Sequence, residues 1–322
     1  MEKRYTLITG ATGFIGSHVA ERLLAGSHSL VAIVRKTAHY KNVEELKRKG
    51  IALVEGKFYD RELVENTLND FPIENIVHIA ALRGGGAGTK EDYSEINVLG
   101  TEILLQAALQ HNVTRFVFIS SVGVMGTIPD DLPGNTATRF HGDNLYHESK
   151  VRAEKKVHTY IEKGLDAYIL RPAITYGAGD NGFPKTLVEL VKRRLLLLPT
   201  QDIKIHLLDV AALSDLVLTI LRSDKPQHNT YIAADATPVS LRALANGIYM
   251  HYYKKEYPVF LRVPTTLYRA LLRCFLLFHN EKWETRLRLI SHNWYYDIGT
   301  TVKDLAFKPA DTAESFVKSM CN

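Results

Sequence analysis

The sequence contains few cysteines and offers no disulfide framework. Its two cysteines among 322 residues are Cys274 and Cys321, which are too few and too far apart for a set of disulfides or a zinc cluster. This scarcity favours a reducing intracellular compartment, so we expect a cytoplasmic protein. No signal peptide is expected either, because a charged N-terminus leads directly into a short apolar run at 5–9.

Long apolar runs are also missing. The most apolar stretch, Leu267–Phe278, has only 12 residues and contains two arginines, whereas a helix that crosses a bilayer needs about 20 apolar residues. We therefore predict no transmembrane segment. A helix packed over a pocket explains this stretch better than a helix lying on a membrane surface.

The patterns of charge and of histidine argue against a nucleic-acid-binding protein and against a metalloprotein. The 40 Lys and Arg residues and 35 Asp and Glu residues give a net charge of +5 spread along the chain, so we expect a small-molecule substrate and no nucleic-acid partner. Among the 13 histidines, His141 and His147 lie six residues apart on a predicted loop without a third ligand at metal-binding spacing. His251 stands alone, and His206 fits a pocket or core better than catalysis. No metal is predicted.

Short apolar runs alternate with segments of helical periodicity through the first half of the chain. The runs predict strands at 5–9, 29–34, 51–54, 75–79, 115–120 and 167–170, and the segments between them predict helices at 13–25, 43–49, 61–68, 93–111 and 145–163. Asp60 and Asp92 stand where helix N-caps are expected. The alternation predicts an α/β fold with a doubly wound parallel sheet.

A glycine-rich turn links the first predicted strand to the first helix. Glycines at this spacing permit a tight turn, a close approach of a diphosphate to the backbone, and close packing of the helix on the strand. A bound anion would face unpaired N–H groups and the positive end of the helix dipole. The turn therefore predicts a dinucleotide site formed by Gly10, Thr12, Gly13, Phe14, Ile15 and Gly16.

The residues after the second predicted strand distinguish the two nicotinamide cofactors. An acidic residue there binds the ribose 2′-hydroxyl of NAD, whereas arginine suits the extra phosphate of NADP. This chain has Arg35 and Lys36 with no acid nearby. We predict NADP(H) as the preferred cofactor and NAD(H) as the second possibility, and the alternative interpretation is a basic pair that is merely solvated.

A hydroxyl, a phenol and an ammonium group occur in the pattern of a proton-transfer site. Ser121 follows an apolar strand, at the edge where parallel sheets bind ligands, and Tyr146 and Lys150 share one helix face. A phenol has a pKa of about 10 and needs a nearby cation to act near neutral pH. We predict that Tyr146 transfers the proton, Ser121 fixes the substrate oxygen, and Lys150 favours the phenolate and binds the cofactor ribose.

Neighbouring residues complete the predicted site. Ser120 and Tyr146 are expected beside the dinucleotide. Asn97 either joins the same network beside the dinucleotide or is a structural residue of its helix, and both interpretations stay open. The predicted substrate-binding set is Arg83, Ser121, Val122 and Tyr146.

Taken together, the motifs resemble the extended short-chain dehydrogenase/reductase superfamily, in its NAD(P)-dependent epimerase/dehydratase group. The match runs nearly end to end and rests on residues 10–16, 78–81, 97–101, 118–121, 146 with 150, 170–172, 176–177 and 305–309. The resemblance implies a Rossmann fold, a Ser121–Tyr146–Lys150 triad, and a homodimer formed through the helix that carries Tyr146 and the helix before it. It also implies that the dinucleotide is lined by Ala80, Ala81, Pro172, Ala173 and Ile174.

Three departures from the family pattern bear on the ligand. Lys57 stands where relatives carry an adenine-binding aspartate, so backbone groups at Phe58 are the expected substitute. The segment 199–206 lacks the arginine typical of relatives that bind nucleotide sugars. Arg83 is either an anion contact or a surface arginine, whereas Arg286 and Arg288 fit surface arginines better.

We expect an NAD(P)-binding Rossmann domain over 1–175 and a smaller C-terminal substrate-binding lobe over 176–322, with part of 205–235 returning to the sheet. The lobe contains predicted apolar helices at 187–198 and 267–278. They suggest a partly hydrophobic substrate, such as a sterol-like, polyketide or flavonoid-like ketone, unless they are simply core.

Three functional hypotheses follow. The leading one is an oxidoreductase that transfers a hydride between NADP(H) and a secondary alcohol or ketone. The alternative is an NAD-dependent nucleotide-sugar epimerase or dehydratase, which removes a hydride and returns it. A second alternative is a non-enzymatic, dinucleotide-sensing regulator, and the intact set of Ser121, Tyr146 and Lys150 argues against it.

Overall fold

A computed structural model describes residues 3–36, 40–84, 88–268, 270, 273 and 281–321. Cys274 and most of the apolar stretch 267–278 lie outside these residues, so the expected helix over a pocket stays a prediction. Among the helices that are described, none combines the length and the apolar composition needed to cross a bilayer.

Seven parallel strands form the central sheet of the described chain. In chain order they are β1 (Tyr5–Thr9), β2 (Ser29–Val34), β3 (Ala52–Glu55), β4 (Ile73–His78), β5 (Arg115–Ile119), β6 (Ala167–Pro172) and β7 (Thr230–Ala233). Their spatial order is β7-β6-β5-β4-β1-β2-β3, and every neighbouring pair is parallel. The predicted Rossmann-type α/β fold is confirmed. The strand order reverses between β1 and β4, where sheets of this kind bind their ligands.

The central strands are apolar because both of their faces are covered. Alternate residues enter different hydrophobic cores: Leu7 and Ile76 lie in one core, and Ile8 and Val77 lie in the other. Successive side chains of a strand point to opposite faces, so a strand with helices on both sides reads as a continuous apolar run.

Helices and short strands surround the sheet. The described helices are Phe14–Ala25, Tyr40–Arg48, Arg61–Asp70, Lys90–Tyr93, Gly100–Gln110, Leu145–Glu162, Phe183–Lys192, Val210–Arg222, Leu241–Tyr253, Glu281–Ser291, Gly299–Leu305 and Thr312–Met320. Short strands at Ile174–Tyr176, Leu198–Pro199, Lys204–Ile205, Leu207–Asp209, Val239–Ser240 and Arg262–Val263 form two-stranded pairs outside the sheet. The boundary between two domains near residue 175 stays a prediction.

The helix predicted at 93–111 begins earlier and changes geometry. Thr89 is its N-cap, and its hydroxyl accepts a hydrogen bond from the Asp92 N–H (3.2 Å) while the Asp92 carboxylate accepts one from the Thr89 N–H (2.7 Å). Asp92 is therefore the reciprocal partner in a capping box and not the N-cap that was predicted. A π-helical turn over Ser94–Leu99 follows, in which the Gly100 N–H donates to the carbonyl of Glu95.

The apolar helix predicted at 187–198 is wrong beyond Lys192. Arg194 has a φ of +59°, which takes the chain out of the helix. In the range 195–198, exposed and buried leucines alternate, as in an extended segment. The Tyr257 hydroxyl donates to the Leu196 carbonyl (2.8 Å). Tertiary partners thus override the helical preference of a leucine run.

A buried carboxylate joins the C-terminal elements to the sheet. Asp235 lies just after β7 and has no exposed surface. It accepts hydrogen bonds from the Tyr176 hydroxyl (2.8 Å), the Thr312 hydroxyl (2.5 Å) and the Asp209 N–H (2.9 Å). These donors come from two short strands and the C-terminal helix, so one side chain fixes three elements together.

Candidate active site

The glycine turn lies at the carboxyl end of β1, before the helix Phe14–Ala25. Gly10 has a φ of +80°, and a Cβ there would lie 2.9 Å from the backbone nitrogen of Ala80. A Cβ at Gly16 would lie 2.0 Å from the carbonyl oxygen of Gly10, so both positions exclude a side chain. Gly13 precedes the helix without a capping side chain, which leaves the N–H groups of the first turn to bind an anion.

Side chains from two directions hold this turn in place. The Phe14 ring packs edge to face on His18 (5.5 Å between centroids), and His18 Nε2 lies 2.8 Å from the carbonyl oxygen of Ala178. Asn42 donates to the carbonyl of Thr12 at 2.9 Å. The start of the helix is therefore fastened to the loop after the short strand Ile174–Tyr176 and to the helix after β2.

The basic pair predicted to select NADP(H) follows β2 directly. Arg35 and Lys36 are exposed, and β2 pairs with β1, so they lie at the same edge of the sheet as the glycine turn. The Gly56 N–H donates to the end of β2 (2.9 Å), which brings the loop after β3 to this edge. The Phe58 side chain is buried against His78 (5.2 Å between ring centroids).

A buried histidine ties β1 to β4 beside the glycine turn. His78 Nδ1 lies 2.7 Å from Thr9 Oγ1, and its Nε2 lies 3.0 Å from Thr101 Oγ1. Thr9 Oγ1 also accepts a hydrogen bond from the Ala80 N–H (3.2 Å). Burial, with the charge of Lys150, holds the pKa of His78 well below its ordinary value. The ring is therefore neutral and offers one donor and one acceptor.

The Asn97 side chain is occupied by protein groups. Its Oδ1 accepts from the Leu82 N–H (2.7 Å), and its Nδ2 donates to the Leu82 carbonyl (2.9 Å) and to Ser149 Oγ (2.8 Å). Ser149 belongs to the helix Leu145–Glu162. Asn97 thus fastens the segment after β4 to that helix, as the structural interpretation expects, and a contact with the dinucleotide stays a prediction.

Tyr146 and Ser121 meet beyond the carboxyl end of β5. Burial raises the pKa of Tyr146 to about 12, against the opposing effects of the Arg83 charge and of a hydrogen bond with the Ser121 side chain. Ser121 Oγ also accepts from the Gly123 N–H at 3.0 Å. A Cβ at Gly84 would lie 3.4 Å from the Tyr146 Cβ, so the chain after β4 packs directly on the tyrosine.

Lys150 is turned toward β5. Its Nζ donates to the carbonyl of Ile119 (2.7 Å) and lies 4.5 Å from the centroid of the Phe118 ring. Burial lowers the pKa of Lys150 to about 7, partly opposed by the Glu154 charge. The Arg83 charge acts to lower the Tyr146 pKa, and the predicted role of Lys150 at the phenol stays a prediction.

A buried ion pair behind Lys150 was missed in the sequence. Glu154 has no exposed surface and accepts hydrogen bonds from Arg171 Nη2 (2.7 Å), Arg171 Nε (3.0 Å) and Ser120 Oγ (2.5 Å). The Ser120 hydroxyl, predicted beside the dinucleotide, is thus engaged inside the protein. Two features of the sequence could have indicated this pair: Glu154 lies four residues after Lys150, and Arg171 is a single charged residue in an apolar strand.

His147 lies on the helix Leu145–Glu162, as the helix predicted at 145–163 requires, and not on a loop with His141. Its Nδ1 lies 2.6 Å from Asp143 Oδ1, and a Cβ at Gly123 would lie 2.3 Å from its ring. Although burial opposes it, hydrogen bonding led by His147 lowers the pKa of Asp143 to about 2. Arg288 pairs with Glu284 (2.6 Å) and lies 3.5 Å from Asp143, so it is not the simple surface arginine that was expected.

The carboxyl edge of the sheet gathers most of the predicted residues. The Ala173 N–H donates to the Ala233 carbonyl (2.8 Å), which fixes the end of β6 beside β7. The Val122 side chain is buried in the core. At or next to this edge the structure brings together Gly10, Thr12, Gly13, Phe14, Ile15, Gly16, Arg35, Lys36, Phe58, Ala80, Ala81, Ser120, Ser121, Pro172, Ala173 and Ile174.

Comparison with known proteins identifies relatives over most of the chain. Residues 6–232 match the model of the NAD dependent epimerase/dehydratase family. The chain is 30% identical over 177 residues to sterol demethylase protein B of Methylococcus capsulatus, covering 54% of this chain and 52% of that protein, so it spans about half the length of this relative. It is 27% identical over 327 residues to UDP-glucose 4-epimerase of Vibrio cholerae, covering 97% and 93%. A 2-alkyl-3-oxoalkanoate reductase of Stenotrophomonas maltophilia is 25% identical, covering 75% and 74%.

Solved structures share the architecture. The structure of gox2253 superposes with a TM-score of 0.81 at 24% identity and covers 98% of this chain and 97% of that chain. The Bordetella bronchiseptica enzyme WbmG, in complex with NAD and UDP, superposes with a TM-score of 0.78 at 18% identity and covers 98% and 92%. At these identities the likeness establishes the fold.

Proposed function

The chain belongs to the NAD dependent epimerase/dehydratase family, a family of enzymes, and from this premise we propose that it transfers a hydride between NADP(H) and a secondary alcohol or ketone. The observation that carries the proposal is the close packing of the segments that hold Arg83 and Ser121 on the start of the Tyr146 helix, where a Cβ at Gly84 would lie 3.4 Å from Tyr146 and one at Gly123 would lie 2.3 Å from the His147 ring. Both Arg83 and Ser121 act to lower the pKa of the buried phenol. A phenol supported by a hydroxyl and a cation is suited to exchange a proton with a substrate oxygen.

The glycine turn fits the diphosphate of a dinucleotide. At Gly10 and Gly16 the backbone leaves no room for a Cβ, which is the condition for a close approach of chain and anion. The N–H groups at Phe14 and Ile15 are the proposed diphosphate contacts, since the Gly13 N–H donates to the Gly10 carbonyl (2.9 Å). When bound, the nicotinamide supplies or accepts the hydride.

Ser121 and Tyr146 have complementary proposed tasks. Ser121 holds the substrate oxygen by a hydrogen bond, and Tyr146 donates its proton to that oxygen in reduction or accepts it in oxidation. Because burial raises the pKa of Tyr146 to about 12, the phenol is protonated at neutral pH before substrate binds. The resting protein is therefore ready for the reductive direction.

Lys150 is proposed to bind the cofactor ribose and to assist the phenolate. In the free protein its ammonium group is held by the Ile119 carbonyl, and its pKa of about 7 means that it is about half protonated near neutral pH. Since Glu154 raises that pKa, the glutamate helps to keep the cation available.

Arg35 and Lys36 support the preference for NADP(H). Both are exposed at the end of β2, where the adenosine ribose of a dinucleotide lies in folds of this kind. A guanidinium there pairs well with a ribose phosphate. NAD(H) remains the competing cofactor, since the related WbmG structure contains NAD.

A second candidate function rests on the relatives. The UDP-glucose 4-epimerase of Vibrio cholerae matches 97% of the chain, which favours a nucleotide-sugar epimerase or dehydratase. The absence of an arginine in the segment 199–206 and the reductase among the relatives favour a partly hydrophobic ketone instead. The non-enzymatic regulator is not carried forward, because the family is enzymatic.

Hydride transfer is tested by nicotinamide absorbance. Wild-type protein with NADPH and a panel of hydrophobic ketones should show a net loss of reduced cofactor, faster than with NADH. Tyr146→Phe should lower kcat by about 10²- to 10⁴-fold, because the proton donor is lost. NADPH binding, followed by fluorescence, should be unchanged.

Tyr160→Phe is the matched control, since Tyr160 is a buried tyrosine near the other end of the same helix. It should retain kcat within about twofold. Conversion of UDP-glucose without net change in absorbance, by protein that keeps its cofactor bound, would establish the epimerase instead. Equal kcat for Tyr146→Phe and wild type would contradict both.

Two expectations about the protein's surroundings stay predictions. A homodimer is expected through the helix Leu145–Glu162 and the helix before it, by resemblance alone. A cytoplasmic location is expected from cysteine usage.

A further inference from the structure

Two neighbouring segments of the C-terminal half expose apolar side chains. The exposed fraction is 63% for Leu195, 45% for Leu197, 64% for Val259 and 82% for Phe260. We name these four side chains the apolar tip. Single exposed apolar residues are ordinary, but adjacent ones indicate a surface that contacts a partner.

Backbone pairing brings the two segments together. Arg262–Val263 pairs in parallel with Leu198–Pro199, and the Thr200 N–H donates to the Val263 carbonyl (2.9 Å). Leu195 and Leu197 precede one strand, and Val259 with Phe260 precede its partner. The apolar side chains therefore emerge next to one another on the same end of the pair.

The apolar tip stands on a fixed base. Leu196 and Leu198, which alternate with the exposed leucines, are 3% and 2% exposed. The buried Tyr257 donates to the Leu196 carbonyl at 2.8 Å. The exposure of the tip therefore does not come from loose packing beneath it.

Cations border the apolar tip. The segments 189–197 and 249–262 together contain six Lys and Arg residues and two Glu residues. The Tyr253 hydroxyl donates to the Lys192 carbonyl (2.8 Å), which joins the two segments at this border. The Arg194 guanidinium lies 5.6 Å from the Tyr253 ring, and Lys254 and Lys255 follow it, exposed.

We propose that the apolar tip docks on the surface of a bilayer that contains anionic lipids. Protruding leucine and phenylalanine side chains enter the boundary between headgroups and acyl chains, and the bordering cations contact lipid phosphates. The tip touches the membrane without crossing it. This inference goes beyond the proposed function, because it concerns where the enzyme works and requires neither NADP(H) nor Tyr146.

Charge favours lipid over a second copy of the chain. In a two-fold symmetric contact the same surface of both copies meets. The excess cations in 189–197 and 249–262 of one copy would therefore lie against the same cations of the other copy and repel them. An anionic bilayer reverses this sign and attracts the same residues.

Vesicle flotation tests the proposal with the whole 322-residue chain. We expect at least about tenfold more protein on vesicles of phosphatidylcholine with phosphatidylglycerol than on phosphatidylcholine alone. Raising the salt should weaken this binding, because the cationic part is screened. Phe260→Ser combined with Leu195→Ser should reduce binding about tenfold or more.

Two control variants separate the tip from general surface effects. Leu132→Ser with Val302→Ser removes exposed apolar side chains outside the tip and should leave binding unchanged. Lys254→Glu with Lys255→Glu should abolish the preference for anionic vesicles, whereas Lys225→Glu with Lys303→Glu should not.

Three results would overturn the proposal. Wild-type protein that stays unbound on both kinds of vesicle would do so, as would equal binding to both. If light scattering instead shows a wild-type dimer that Phe260→Ser with Leu195→Ser converts to a monomer, the tip is a contact between copies. Because none of these measurements uses catalysis, their failure is distinguishable from failure of the proposed hydride transfer.

Discussion

Among the described residues, two carboxylates have no exposed surface, one in each half of the chain, and the protein holds them in different ways. Glu154, behind the candidate active site, faces the guanidinium of Arg171 and one hydroxyl. Asp235, among the C-terminal elements, receives only neutral donors. A buried charge needs a partner charge or several hydrogen bonds. Glu154 has the partner charge, and Asp235 has the hydrogen bonds.

The two arrangements affect different pKa values. Burial raises the pKa of Asp235 to about 6 in spite of its hydrogen bonds, so this group responds to mild acid. Glu154, close to a second cation, raises the pKa of Lys150. One carboxylate therefore fastens elements together, and the other maintains positive charge beside the chemistry.

The largest expected effect comes from breaking the charged pair. Glu154→Gln leaves Arg171 buried without its carboxylate and should lower the free energy of unfolding by about 3–5 kcal/mol, measured by urea denaturation. Glu162→Gln, at the exposed end of the same helix, should change it by less than about 0.5 kcal/mol. A loss below about 1 kcal/mol for Glu154→Gln would remove the distinction between the two carboxylates.

The next effect depends on pH. Between its ordinary pKa of 3.8 and its raised pKa of about 6, Asp235 retains a proton in the folded protein that the unfolded chain releases. Stability therefore falls as pH rises through this window, by about 3 kcal/mol in all. Asp235→Asn should remove this fall, measured as the difference in unfolding free energy between variant and wild type from pH 4 to 6.5.

Asp131→Asn provides the comparison for that measurement, because Asp131 is exposed. Its difference from wild type should stay nearly constant over the same range. A constant difference for Asp235→Asn as well would mean that the buried carboxylate titrates as it would in water.

A smaller effect concerns Lys150, whose folded pKa of about 7 lies below the ordinary 10.5. Below pH 7 the folded protein must bury the cation, so Lys150→Met should be more stable than wild type by about 1–2 kcal/mol at pH 6. The advantage should shrink as pH rises from 7 to 10.5, where the unfolded chain binds the extra proton. Thermal unfolding across this range measures it, and a less stable variant at pH 6 would contradict it.

Much of the sheet could be predicted because its strands are covered on both faces. Two predicted ranges, 5–9 and 29–34, match the observed strands. Continuous Val, Ile and Leu runs bounded by turn residues identify such strands without knowledge of their neighbours. The glycine turn was predictable for a similar reason, since the requirement for glycine is local.

The site interior was less predictable because its partners are distant in sequence. The spacing of Tyr146 and Lys150 gives a shared helix face, but it does not reveal that the Ile119 carbonyl binds the ammonium group. Likewise, the four leucines at 195–198 show no periodicity that distinguishes a helix from a strand. The hydrogen bond from the Tyr257 hydroxyl to the Leu196 carbonyl helps to hold them extended. Contacts of this kind are set by packing and not by local pattern.

The π-helical turn Ser94–Leu99 holds one residue more than the same span of α-helix. Each residue of an α-helix advances the side-chain direction by about 100°, so the surplus residue rotates the face of this helix part-way along its length. Asn97 reaches Leu82 and Ser149 from within that turn. A deletion of one residue here would keep a helix but aim a different side chain at Leu82 and Ser149, so chain length at this point is itself a determinant of site geometry.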